Sequence, residues 1–390
     1  MREEAFAAHR RRAAMSRIYL DYTADTPVDE RVLSVYTETA RNCFANPNSA
    51  HSFGFSAKQV MDKSLSQMAE LLRISPDELI LTSGASESNN LALKGITFAN
   101  RRRGKHIVST FLEHSSVSGA LTFLQEQGWE IDLVNIQPDG KIDLAHLKSL
   151  LRQDTVLCAV CAVDSELGTV QPIQEIAEIL KDYPNCRLHV DATQAVGKIP
   201  LDFSGIHTAS FAPHKFYGLK GCGMLYRAKG VVIEPLIHGG ASTTIYRSGT
   251  PDAPAAAACA KALELAVSEF DTRFQTVAAL NQTLRTAFAN NPCIRINSPE
   301  KAVPHILNVS VSGIKGEEMR RLLDARGIAV SVKSACSVPN TPSRAVMAIT
   351  HDRKNALSSW RISLSHLTTT DEIARFESIL NEIISEVTNA

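Results

Sequence analysis

A chain of 390 residues, 44% hydrophobic and 21% charged, is long enough for two domains around a sizeable core. Its 41 basic and 41 acidic side chains cancel, which argues against nucleic acid as the main partner, because phosphate binding leaves a basic excess. No stretch approaches the roughly 20 uninterrupted apolar residues of a membrane span, so no membrane partner is expected and a soluble α/β enzyme is the default class.

Residues 1–17 contain His9-Arg10-Arg11-Arg12 and several alanines, but no apolar segment of a secretory signal follows. They are expected to form an N-terminal extension. The eight cysteines are scattered along the chain, which fits free thiols in a reducing cytoplasm. From about residue 78 to 230, short apolar, β-branched runs alternate with helical patterns. Strands are expected at 79–81, 106–109, 131–134, 156–162, 188–190, 208–211 and 223–226, with helices at 86–99, 115–127 and 172–181. Continuous apolarity points to strands buried on both faces of a largely parallel sheet, and βαβ alternation to a doubly covered one. Cys158 and Cys161 form a C-x-x-C spacing, but they sit inside an apolar run with no second Cys or His pair nearby. Packing, not metal or redox work, is their expected role.

After Thr250 the pattern changes. Residues 254–270 are alanine-rich and read as a long helix able to carry the chain between domains. A smaller α+β unit follows: strand 306–311, helix 316–326, strand 329–332 and strand 360–363. The closing helix, 371–387, has Ile373, Phe376, Ile379, Leu380, Ile383, Ile384 and Val387 on one face. The expected division is an extension (1–17), a large domain (18–255) whose first residues pack with the small one, and a small domain (256–390).

Polar groups stand at the expected strand ends, where open α/β sheets place ligands. Thr82-Ser83-Gly84-Ala85-Ser86 is a glycine-containing turn that opens a helix, a natural seat for phosphate. Then come Glu113-His114, Asp191-Ala192-Thr193-Gln194 and Pro213-His214-Lys215. A carboxylate directly after a buried strand is costly unless paired, and a pyridinium N–H would be such a partner. Lys215 could form a Schiff base, and His114 could lie over the ring and move protons. Each group alone is more often structural; their joint order is what points to pyridoxal 5'-phosphate.

The succession T-S-G-A-S-E-S-N-N, E-H, H-V-D-A-T-Q and H-K-F-Y-G-L-K-G-C-G resembles a cysteine desulfurase, of the class V aminotransferase branch of fold-type I pyridoxal-phosphate enzymes. Asn46-Pro47-Asn48-Ser49-Ala50-His51, Arg247-Ser248-Gly249-Thr250, Ser334-Ala335-Cys336 and Trp360-Arg361-Ile362-Ser363 extend the likeness over nearly the whole chain. The resemblance implies a large domain with a mainly parallel seven-stranded sheet and a smaller α+β domain. It implies Lys215 as the Schiff-base lysine, Asp191 at the pyridine nitrogen, Gln194 at the ring hydroxyl and His114 stacked on the ring. Ala85, Ser86 and His214 would hold the phosphate, and Thr250 that of a neighbouring subunit, so a homodimer is implied. Arg361 would bind the substrate carboxylate, and the position of Ser165 would contact the ring hydroxyl or the substrate carboxylate. Cys336 would be the nucleophile that takes sulfur from L-cysteine, leaves L-alanine, and passes the persulfide to an acceptor protein.

The chain departs from the family at four places. Ser165 replaces an asparagine, Ala212 replaces a serine that binds phosphate, and Ala241-Ser242-Thr243-Thr244-Ile245 replaces a charged stretch. Lys333 replaces the glycine before Ser-Ala-Cys, with Pro339 and Pro342 in the same loop. Lys333 reads either as a solvated loop lysine or as a charge that lowers the pKa of Cys336. These changes leave two alternatives: a related lyase, epimerase or aminotransferase with Cys336 idle, or a weakly active paralogue acting as a scaffold subunit.

Overall fold

The computed structural model describes residues 17–240, 244–333 and 341–388. Outside them lie Cys336, nearly all of the expected extension and most of the altered stretch at 241–245. In chain order the elements are β1 (Ile18–Tyr19), α1 (Glu30–Asn42), α2 (Ser52–Leu72), β2 (Leu79–Thr82), α3 (Ala85–Asn100) and β3 (His106–Thr110). Next come α4 (Ser115–Glu126), β4 (Glu130–Val134), α5 (Leu144–Leu150), β5 (Thr155–Cys161), α6 (Ile173–Leu180) and β6 (Arg187–Asp191). Then follow β7 (Thr208–Phe211), a 3-10 turn (Pro213–Lys215), β8 (Gly223–Arg227), α7 (Ala253–Ser268) and α8 (Phe270–Ala289). The chain closes with β9 (Ile294–Ile296), β10 (Ile306–Val311), α9 (Gly316–Asp324), β11 (Ile328–Ala329), α10 (Arg344–Thr350), α11 (Arg353–Ser358), β12 (Ser359–Ser363) and α12 (Thr370–Thr388).

The chain divides into two compact units. The larger comprises Asp25–Asp164 and Val170–Asp271; the smaller takes Met1–Ala24, Ser165–Thr169 and Thr272–Ala390. The break after Asp271 lies beyond the one read at 255, so the alanine-rich helix α7 stays wholly in the larger unit. Its small side chains explain this: nine of its residues are buried, which a connecting helix would not need.

In the larger unit a seven-stranded sheet has the order β2-β8-β7-β6-β5-β3-β4. Strands β7, β6, β5, β3 and β4 are parallel, and β8 runs antiparallel to both β7 and β2. Every residue of β5 is buried, as a central parallel strand covered on both faces requires. Cys158 and Cys161 stand an odd number of residues apart on that strand. Their side chains therefore point to opposite faces and cannot converge on one metal. Burial pushes the Cys158 thiol up to about 12.

In the smaller unit β10 pairs antiparallel with β9 and β12, placing Asn308 opposite Arg361. Strand β1 pairs parallel with β11, Ile18 to Ile328. Trp360, Phe376, Phe288, Leu284, Ile362, Leu380 and Ile383 make the core of this unit. Helix α12 buries the expected face except for Ile379, which is partly buried, and Val387 at its end, which is exposed. Of the strand expected at 329–332 only Ala329 joins a ladder. Val330 and Val332 are buried without strand pairing, and Ser331 makes an isolated bridge to Arg361.

Candidate active site

Because β8 is antiparallel to its neighbours on both sides, β2 runs in the same direction as the parallel set. The C-terminal ends of β2, β3, β5, β6 and β7 therefore share one edge of the larger unit. That edge receives the Ser83–Ser86 turn, Glu113 and His114, Asp191 and Gln194, and His214 and Lys215. The sequence-based cofactor residues of this unit thus converge through topology, although they are spread over more than a hundred residues of chain.

Asn89 organises them. It lies on α3, fully buried, and its Nδ2 donates to Asp191 Oδ2 (2.9 Å) and to Ser116 Oγ (2.8 Å). Its Oδ1 accepts from His189 Nε2 (3.0 Å) and from Ser210 Oγ. Burial holds His189 down to about 4, against the pull of Asp191, so its ring is neutral at ordinary pH. With Nε2 as the donor, Nδ1 accepts the Thr208 hydroxyl at 3.0 Å. Asp191 Oδ1 takes the Thr193 N–H at 3.0 Å. Asn89 stands inside the T-S-G-A-S-E-S-N-N motif, where the sequence assigns it no role. Its signal is an amide one turn ahead of the buried apolar Ala92 and Leu93 on the same helix.

His114 caps α4: the Ser116 N–H donates to Nδ1 at 3.2 Å, and the Ser116 hydroxyl lies 2.9 Å from the same atom. Since Ser116 Oγ accepts from Asn89, its proton points to His114, giving a chain from Asn89 through Ser116 to Nδ1. The neutral ring then carries its proton on Nε2. Burial lowers the His114 pKa; Asp191 opposes this and Lys215 adds to it. Next to it, Glu113 Oε1 accepts from Thr110 Oγ1 (2.8 Å) and from the Cys161 N–H (3.0 Å), while Oε2 is buried with no partner. Burial, reinforced by Asp191 and Asp164, lifts Glu113 to about 8.

The turn that bears Lys215 is held by Thr26, whose N–H and hydroxyl both donate to the His214 carbonyl while its Oγ1 accepts from the Tyr217 N–H. Burial and the adjacent Lys215 bring His214 to about 4. Lys198 Nζ donates to Gln194 Oε1. Thr250 lines a cavity of about 200 Å³ together with Ser83, Arg247, Cys222 and Cys259. Arg247 Nε reaches Glu87 Oε1 at 3.0 Å.

These residues fit pyridoxal phosphate. Helix α3 begins at Gly84 without a side-chain cap, so its first N–H groups suit a phosphate. Open space lies where a Cβ on Gly84 would project. Thr193 Oγ1, beside Asp191, is buried with no hydrogen-bond partner, as a donor awaiting a ligand would be. Ala212 is fully buried and offers no hydroxyl.

In the smaller unit Arg361 is 2% exposed. Its Nη1 donates to the Ser165 carbonyl at 2.7 Å and its Nη2 to Asp21 Oδ1 at 3.0 Å, while Nε is buried without a partner. Arg361 and Ser165 thus touch through the backbone oxygen of Ser165. Ser331 Oγ donates to the other Asp21 oxygen at 2.8 Å. Ser343 Oγ donates to Glu166 Oε2 at 2.5 Å. Burial raises Glu166, opposed by that bond and by Arg361, Lys333 and Arg344. Lys333 is buried, and its Nζ donates to the carbonyl and hydroxyl oxygens of Thr341 at 2.8 and 2.7 Å. The reading of Lys333 as a solvated lysine is therefore corrected. Its long side chain turns Nζ to the neutral oxygens of Thr341.

The family model described as aminotransferase class-V matches residues 18–376. A protein described as a NifS/IcsS homolog from Lactobacillus delbrueckii subsp. bulgaricus is 36% identical, over 94% of this chain and 97% of its own. The cysteine desulfurase IscS of Dictyoglomus turgidum is 36% identical over 95% of each chain. Among solved structures, a NifS-like protein superposes with a TM-score of 0.89 at 35% identity, covering 95% of this chain and 99% of that one. A structure titled SspA in complex with cysteine gives 0.79 at 31% identity, over 90% and 100%.

Proposed function

Because the chain belongs to the class-V aminotransferase family, among its cysteine desulfurases, we infer that it is a pyridoxal-phosphate-dependent enzyme converting L-cysteine to L-alanine. The bound cofactor supplies an electron sink for the bonds at the substrate α-carbon. Lys215 would hold it through Nζ, and Asp191 would receive the ring N–H. The hydrogen bonds from Asn89 and Thr193 keep that carboxylate aimed. Ala85, Ser86 and His214 would hold the phosphate, and Gln194 the ring hydroxyl.

His114 keeps a proton on Nε2 because Nδ1 is occupied by Ser116, so it can donate there and recover the proton later. Arg361 is the group for the substrate carboxylate, assisted by Ser165. The Cys336 thiolate would attack the substrate sulfur. The C–S bond breaks, sulfur stays on Cys336 as a persulfide, and the carbon keeps the electron pair and takes a proton. A sulfur-acceptor protein would remove the persulfide. The working unit would be a cytoplasmic homodimer in which Thr250 serves the other subunit's phosphate.

The observation that carries this reading is the Asn89-centred chain that ties Asp191 and His114 together beside Lys215. It is tested by product analysis of the full chain with cysteine and a reductant. Wild type should yield alanine and sulfide one for one. Cys336→Ser should keep the visible cofactor band but lose sulfide release, and Lys215→Ala should lose both. Undiminished turnover of cysteine by Cys336→Ser would overturn the assignment of the nucleophile.

A further inference from the structure

Two cysteines outside this chemistry lie against each other. The Cys259 thiol donates to Cys222 Sγ at 3.4 Å, and both are buried. We propose that Cys222 and Cys259 are a peroxide-sensitive pair that closes to an intrachain disulfide and, in closing, loosens the seat of the cofactor phosphate. The second half rests on the cofactor assignment above.

Access comes from the cavity of about 200 Å³ that both thiols line with Ser83, Arg247 and Thr250. A water occupies roughly 30 Å³, so hydrogen peroxide has room to enter. Burial alone would disfavour a thiolate, but the hydrogen bond from Cys259 holds the Cys222 thiol below its ordinary range, which makes Cys222 the attacking sulfur. Its thiolate displaces hydroxide from peroxide to give a sulfenic acid, and the hydroxide takes up the proton lost by Cys222, forming water. The Cys259 sulfur then attacks Cys222 Sγ and expels the sulfenic hydroxyl, which leaves as water with the Cys259 proton. In sum two thiols and one peroxide become one disulfide and two waters.

Closing the bond brings the sulfurs to about 2.05 Å, an approach of roughly 1.4 Å. Cys259 is fixed within α7, whereas Cys222 sits between Gly221, at φ 76°, and Gly223. The turn is therefore the part that yields. Gly223 packs so tightly on Gly84 that an added Cβ would come within 2.4 Å of the Gly84 carbonyl carbon. Any shift of the turn is handed to Gly84, the residue that opens α3 ahead of Ala85 and Ser86.

The test uses the full chain loaded with pyridoxal phosphate, carrying Cys336→Ser to silence the nucleophile. It is treated with a few equivalents of hydrogen peroxide, alkylated and mapped by non-reducing mass spectrometry. The expected result is a cross-linked peptide joining Cys222 and Cys259, two hydrogens lighter and reversed by dithiothreitol. At least half of the visible cofactor band should be lost on gel filtration. Cys222→Ala, which cannot close the bond, should keep its band under the same treatment. Alkylation of both thiols at peroxide levels that oxidise Cys43 and Cys293 would overturn the pair. A disulfide formed without loss of the band would overturn the coupling. A chain with no band before oxidation contradicts the cofactor assignment, and the mapping still decides the disulfide.

Discussion

Asn89 in the larger unit and Arg361 in the smaller are both polar side chains withdrawn from water, yet they are finished differently. Asn89 uses every hydrogen-bonding position it has: two donated, two accepted. Arg361 has partners at Nη1 and Nη2 but none at Nε. A fully satisfied hub is a fixture, suited to a cofactor that stays. A buried cation with a donor in reserve, and one partner that is itself a carboxylate, suits a ligand that must come and go. For the acids the contrast reverses, since Glu113 Oε2 is buried with no partner. Glu113 has only neutral donors and like-charged neighbours, whereas Glu166 faces Arg361, Lys333 and Arg344.

The harshest test of the contrast is Asn89→Ala. It strands Asp191 Oδ2, Ser116, His189 and Ser210 together, at about 1–3 kcal/mol for each buried group left unpaired. Denaturant unfolding should show a loss of several such groups, together with faster cofactor loss on dialysis. A cost no larger than that of a surface substitution, ~0.5 kcal/mol, would mean that Asn89 is not the hub.

Glu113 gives the next largest effect. Its folded pKa lies near 8, above the unfolded value of 4.5. The folded state therefore binds the extra proton between these values. The stability that this contributes is complete below pH 4.5 and drains away as pH rises through 8, by on the order of a few kcal/mol. Glu113→Gln, a neutral isostere, should flatten that decline in melting temperature measured from pH 5 to 8.

Asp21→Asn should give the smallest effect. Weakening the resting partner of Arg361 should lower KM for cysteine about fivefold, equivalent to 1 kcal/mol, with kcat little changed. A raised KM would make Asp21 a support for Arg361 and not its competitor.

The sheet was legible because its strands are continuous apolar runs. The strands at 208–211 and 306–311 agree with the sequence reading end to end. Helices α1 and α2 were not read. Only Val32 is buried in α1, and α2 exposes Phe53 and Phe55 while burying Gly54 and Ser64, which blurs the helical period. Strand-end position marked Asp191, His114 and Lys215 as candidates in the sequence. The Ser165 carbonyl was not, since a backbone oxygen leaves no mark in residue identity. Nor were the partners of Asn89, which lie 27 to 121 residues further along the chain.

The pairing of β1 with β11 also sets a timetable. Ile18 meets Ile328 only after about 310 further residues have been made; at roughly 5–20 residues per second, that is a wait of about 15–60 s on the ribosome. The seven-stranded sheet has its last strand by Arg227 and can close well before then. Ile18 and Leu20, core residues in the finished protein, are nascent-chain liabilities in the interval. A message cut short before β11 yields a protein with a completed sheet and an orphaned first strand, the kind of product that chaperones and proteases remove.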